Sequence, residues 1–93
     1  MRTIRRTARF KKDYKREVKG RHRATLDADL VAVVSLLASD APLPDRNHDH
    51  ALTGNWADCR DCHLRPDLVL IYRKPEASIL ELVRLGSHSE LSL

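Results

Sequence analysis

Leu68-Val69-Leu70-Ile71-Tyr72 decides the fold: five apolar or aromatic residues in a row, bounded by Pro66-Asp67 on one side and Lys74-Pro75 on the other. A short apolar run closed by turn residues at both ends reads as a central β-strand. Moving outward, Arg65-Pro66 makes a turn, and Trp56 to Leu64 before it reads as a strand of mixed polarity. On the other side Lys74-Pro75-Glu76-Ala77 turns the chain into a last strand, Ile79 to Leu85, closed by Gly86. Further upstream the pattern changes period. Leu26, Leu30, Val33 and Leu37 are spaced as one face of a helix that stops before Asp40-Ala41-Pro42-Leu43-Pro44, because the two prolines cannot continue it. Phe10, Tyr14 and Val18 form the stripe of an earlier helix, with Thr7 placed to cap its start and Gly20 to end it. Arg2 to Arg6 is left as a brief first strand. The order strand, helix, helix and three meandering strands predicts an α+β domain over residues 1–93. An N-terminal strand and helical hairpin pack on an antiparallel sheet, with both helices on one face and the other face open as a working surface.

Composition narrows the function. Residues 1–23 hold eleven Lys or Arg against Asp13 and Glu17, a local charge of +9, whereas the remaining residues carry −5. A basic segment on a small domain suits a polyanion, whether nucleic acid or an acidic partner protein, through steering and counterion release. No apolar run approaches the length of a membrane span. The charged start, Met1-Arg2-Thr3-Ile4-Arg5-Arg6, has no apolar segment behind it, so the expected location is the cytoplasm.

Five histidines are many for 93 residues. His48 and His50 lie in a polar loop, His63 ends the mixed strand, and His88 follows the last strand. Asp67 opens the central strand just across the turn from His63, where a carboxylate is expected to orient the imidazole for acid–base work near neutral pH. This set suits cleavage of RNA by its own 2′-hydroxyl: a base takes the 2′ proton, an acid protonates the departing 5′ oxygen, and cationic groups stabilise the phosphorus centre. His50, His63, Asp67 and His88 are the candidates for proton transfer, with Arg84 or Arg60 on the phosphate. No metal or other cofactor is required. Which group is base and which is acid stays open.

A competing pattern is Cys59-Arg60-Asp61-Cys62-His63, which has the letters of a c-type haem attachment motif and of half a zinc site. Haem attachment would need export, and a four-ligand zinc site needs a second pair of ligands that the sequence lacks. On a strand the two thiols would also point to opposite faces. Trp56, Tyr72, Tyr14 and Phe10 read as packing residues.

The run Asp49-His50-Ala51-Leu52-Thr53-Gly54-Asn55-Trp56, then Arg60-Asp61-Cys62-His63-Leu64-Arg65-Pro66-Asp67 ahead of the apolar strand ending Ile71-Tyr72, and finally Arg84-Leu85-Gly86-Ser87-His88, resembles the YafQ branch of the RelE toxin superfamily. The resemblance implies a microbial-ribonuclease-like α+β fold and the toxin of a type II toxin–antitoxin system. It further implies ribosome-dependent cleavage of mRNA, a cognate antitoxin encoded alongside, and catalytic positions at His50, His63, Asp67 and His88, with Arg84 near the phosphate. Under it, Lys11, Lys12, Lys15, Arg16 and Lys19 would grip ribosomal RNA or an acidic antitoxin tail. His88 would lie on a C-terminal segment that could order only on binding. The family's usual C-terminal aromatic is replaced here by Ser92, preceded by Leu91. The alternative on the same fold is a non-enzymatic toxin that inhibits gyrase, as ParE relatives do, although those lack the histidine set.

Overall fold

The computed structural model describes all 93 residues. Its centre is a five-stranded sheet in the order β1-β5-β4-β3-β2, with β1 at Thr3–Arg6, β2 at His50–Ala51, β3 at Arg60–Arg65, β4 at Leu68–Arg73 and β5 at Ile79–Gly86. Helices α1 (Ala8–Glu17) and α2 (Leu26–Ala38) precede β2, and a one-turn helix, α3 (His88–Leu91), follows β5. The meander β3-β4-β5 is antiparallel, as the sequence predicts. In contrast, β1 runs parallel to β5, from Thr3 opposite Ile79 to Arg6 opposite Leu82, so the sheet is mixed. Parallel pairing requires a long crossover, which the helical hairpin supplies.

Both helices pack on one face. Phe10, Leu26, Leu30, Val33, Leu37 and Ala38 close over Cys62, Leu64, Leu68, Leu70, Tyr72, Leu80, Leu82 and Leu85. A shift of register opposite Ile71 and Tyr72 places a bulge at Val83, which is why Leu82 and Leu85 share this face despite their spacing. The second face is less bare than expected. Leu91 of α3 inserts there with 2% of its surface exposed, against Cys59, Val69 and Ile71, flanked by Leu52, Trp56 and Val83.

Thr7 starts α1 as predicted: its hydroxyl accepts from Phe10 N–H at 3.0 Å and donates to the Val83 carbonyl at 2.8 Å. The end of α1 differs from expectation. The helix closes at Glu17 with Val18 as its cap, and Gly20 follows in a turn, donating to the Glu17 carbonyl at 3.0 Å. Beyond Leu82 the β5 edge is no longer covered by β1, and α1 satisfies it with side chains. Buried Asp13 accepts from Leu85 N–H at 3.0 Å, and Arg16 donates to the Leu85 carbonyl at 2.7 Å. The Arg16 guanidinium passes so close that a Cβ on Gly86 would sit 2.7 Å from it. The same arginine pairs with Glu90, tying α3 to α1.

The strand expected from Trp56 begins four residues later, at Arg60. Gly54, at φ +65°, leads a turn of 3₁₀ helix over Gly54–Trp56, a backbone conformation that glycine adopts freely. The loop before it, read only as polar, contains a second 3₁₀ turn at Asp45–Asn47 and the two-residue strand β2.

Candidate active site

Strand pairing places the catalytic candidates in rows across the second face. One row runs His50, Asp61, Ile71, Arg84; the next runs His63, Val69, Gly86, from which the chain continues through Ser87 to His88. Residues directly opposite in neighbouring strands share a face, so His50, His63 and Asp61 project together. The His63 ring lies 5.1 Å from that of His88, nearly edge to face, and 5.4 Å from that of His48. Three of the four expected proton-transfer residues therefore meet in one cluster, and the fourth, Asp67, holds one of them.

Asp67 does not orient His63, contrary to the sequence expectation. Its Oδ1 accepts from the backbone N–H of His88 at 3.0 Å and lies 2.7 Å from His88 Nδ1, while Oδ2 accepts from Arg21 at 3.3 Å. The bulge between His63 and Arg65 takes the turn off the simple hairpin register, and the start of α3 arrives where His63 was expected. These hydrogen bonds, the backbone one first, hold the Asp67 carboxyl below its ordinary range. They also fix Nδ1 of His88, leaving Nε2 for chemistry. His88 opens a capped turn: Ser87 caps α3, accepting from Glu90 N–H at 3.1 Å, and the Glu90 carboxylate accepts from Ser87 N–H at 2.9 Å. That reciprocal pair is a capping box, visible in the sequence as Ser87-x-x-Glu90 and missed there.

Two further residues join the site unannounced. Asp61 is 3% exposed beneath the imidazoles. His50 Nδ1 lies 3.0 Å from Asp61 Oδ1 and 2.8 Å from the His48 carbonyl. One N–H cannot point at both; it is directed at the carbonyl, and Asp61 Oδ1 is left without a hydrogen bond. Burial raises the Asp61 pKa, with His50, His63 and His88 opposing. Burial likewise lowers that of His63, with Asp61 opposing. The signal for Asp61 was its spacing: two residues before His63 on a strand means the same face. His48 is the second addition, held in the left-handed region at φ +46° and ψ +48°.

The structure does not bring the expected arginines into the cluster. Arg60 alternates with Asp61 and so lies on the helix side, opposite Tyr72, where it donates to Asp49 Oδ1 at 3.2 Å. Arg84 is on the correct face but is held by Asp13 through two bonds of 2.7 and 3.2 Å. Buried Leu91 lies over Val69 and Ile71, between the histidine and Arg84 ends of these rows. On α1 and just beyond it, Lys11, Lys12, Lys15 and Lys19 are exposed and make no ion pairs, whereas Arg16 is committed to Asp13, Glu17 and Glu90. Cys59 and Cys62 are buried in opposite clusters, and burial raises their thiols to about 11 and about 12, so neither supplies a thiolate near neutral pH.

A buried carboxylate, three imidazoles in contact and a second carboxylate on the outermost one form an acid–base constellation. Comparisons with known proteins place the chain in a family. The model of the bacterial YafQ toxin of type II toxin–antitoxin systems matches residues 2–93. The mRNA interferase toxin YafQ of Escherichia coli K12 is 33% identical over 90 residues, 95% of this chain and 97% of that protein. A Haemophilus influenzae protein bearing the YafQ name is 41% identical over 66 residues, 68% of this chain and 65% of that one. Among solved structures, YafQ of E. coli BL21(DE3) superposes with a TM-score of 0.84 at 33% identity over 98% of both chains. The E. coli DinJ–YafQ complex gives 0.83 at 34% identity over 98% of both chains. A metal-bound toxin from Helicobacter pylori gives 0.83 at 45% identity over 98% of this chain and 99% of that one. These matches support the nuclease over the gyrase-inhibiting alternative. The chain belongs to the YafQ family of type II toxin–antitoxin toxins, whose E. coli members carry the name mRNA interferase.

Proposed function

We propose that this mRNA interferase toxin cuts mRNA held on the ribosome, without a metal, by proton transfer among His50, His63 and His88, with Asp67 positioning His88. The observation that carries the reading is the contact of His63 with His88, together with the carboxylate on His88 Nδ1. Burial favours the neutral form of His63, which suits it to take the proton from the 2′-hydroxyl. The 2′ oxygen then bonds to phosphorus, the bond to the 5′ oxygen breaks, and His88 gives that oxygen a proton, leaving a 2′,3′-cyclic phosphate and a 5′-hydroxyl. His50, its Nδ1–H held by the His48 carbonyl, donates from Nε2 to the phosphate as an imidazolium. Arg84 reaches the phosphate only if it leaves Asp13. The partner is a cognate antitoxin, as in the DinJ–YafQ pair, and the free lysines on and just after α1 face ribosomal RNA.

The test is cleavage of a defined mRNA in a translating extract, with wild type and His88→Ala compared with and without a transition-metal chelator at constant free Mg²⁺. Wild-type cuts that persist under chelation and fall about 10²- to 10⁴-fold in the variant are expected. Cuts abolished by the chelator would overturn the metal-free mechanism. Cuts surviving in His88→Ala would remove His88 from the reaction.

A further inference from the structure

The catalytic cluster opens on one side into a cleft of about 790 Å³. Its mouth is shared with the reaction centre, because His50 and His63 line both. Beside Asp29, Asn47, Leu64 and Pro66, the rest of its wall carries Arg46, His48 and Arg65, none of which the proton transfers use. Arg65 is fixed by two bonds to Asp29, of 2.8 and 3.3 Å, whereas Arg46 is exposed and unpaired. His48 is set with some precision. Buried Asn47 donates to the His63 carbonyl at 2.7 Å and pins the loop to β3. His48 then adopts a left-handed backbone that a residue with a Cβ occupies at a cost, and its own carbonyl accepts from His50. The result is an exposed imidazole beside the His63 ring, at the entrance to a volume suited to a small ligand such as one nucleotide.

We propose that this cleft is a nucleotide subsite for single-stranded RNA. It receives the base adjoining the scissile phosphate against the His48 ring, with the next phosphate on Arg46, so that His48 sets base preference beside the cut. An aromatic ring and a free guanidinium are the groups that single-stranded RNA recognition uses, stacking for the base and a charged donor for the phosphate. The proposal rests on the nuclease reading above and deepens it.

The experiment maps cut sites by sequencing 5′ ends after brief exposure of a mixed mRNA pool in a translating extract to wild type, His48→Asn, Arg46→Gln and His88→Ala. Asparagine is chosen because it tolerates the left-handed backbone, and thermal melting checks that each variant folds. His48→Asn should flatten base preference at one position flanking the cut and reduce cleavage at the best sites roughly five- to tenfold, the lower part of the range for a lost base stack. Arg46→Gln should weaken cleavage evenly and leave the preference intact. A wild-type preference profile retained by folded His48→Asn would overturn the subsite, and so would an even loss at all sites. If wild type does not cut, or His88→Ala cuts as well as wild type, the nuclease reading itself fails and takes the subsite with it.

Discussion

His63 and Asp61 sit two residues apart on one strand and pull each other's protons in opposite directions. Burial disfavours the charged form of each, and each charge favours that of the other. For Asp61 the folded pKa is raised above 3.8, so stability is greatest below that value and is lost as pH rises through the folded pKa. For His63 the folded pKa lies below 6.5, so its contribution is present above 6.5 and lost as pH falls through the folded value. Replacing Asp61 with Asn removes a buried negative charge without changing shape. The variant should be at least as stable as wild type at neutral pH, as read by urea unfolding. With Asp61 gone, nothing opposes the downward shift of His63, and the acid limb of kcat/KM should move to lower pH. An acid limb that stayed in place, or moved upward, would disconnect Asp61 from His63. Asp67→Asn tests a different dependence: the backbone N–H of His88 keeps its acceptor while the imidazole loses its anion. Cleavage should fall at least tenfold with little change in melting temperature; a large loss of stability with full specific activity would make Asp67 a structural residue only.

The elements explain why some of this was legible and some was not. Leu68–Tyr72 and Ile79–Leu85 are apolar runs between turn signals, and α2 repeats at helical spacing, so their existence follows from local pattern. Thr7 announces α1 because capping chemistry is local as well. That the histidines gather was legible because four of the five follow residue 47 and the family motif fixed their spacing. Strand β2 was not legible: it is two exposed residues whose only reason to be extended is β3 beside them. The parallel pairing of β1, the bulge at Val83 and the capture of Asp67 by α3 are contacts between segments far apart in the chain, and a single sequence records no such pairings. Asp13 belongs to this class. On α1 it reads as one more charge on a polar face, yet it is 4% exposed and holds both Leu85 N–H and Arg84. Although burial opposes it, those hydrogen bonds keep its pKa below 3.8. Asp13→Ala would strand a guanidinium and a buried N–H at the only place where α1 stands in for a strand. The expected cost is about 3–5 kcal/mol in urea unfolding. A cost below about 1 kcal/mol, the scale of an exposed ion pair, would mean that the β5 edge is held by Thr7 and Arg16 alone.

Across the whole molecule the charge is divided as the chemistry requires. Neutralised acidic and basic pairs join β4 to β5 and line the α1–β5 seam, while Lys11, Lys12, Lys15 and Lys19 are left without partners on and just after α1. Lys11 and Lys15 also border an apolar groove with Tyr14, Val31 and Val34, so changing them would disturb more than charge. Lys12 and Lys19 stand clear of that groove and isolate the electrostatic contribution. If they meet ribosomal RNA, each neutralises a phosphate and releases a counterion, and affinity for ribosomes falls with salt along a line whose slope counts such contacts. The double variant Lys12→Ala/Lys19→Ala should bind ribosomes with a slope shallower by about 2 on a log–log plot of affinity against salt. Its affinity should approach that of wild type at the high-salt end, where screening has already removed the contribution of these contacts. Cleavage should follow binding, weakening at low salt far more than at high salt. A parallel displacement of the line with unchanged slope would mean that these lysines face protein or solvent, and would leave the grip on the ribosome to the other basic residues of the first 23.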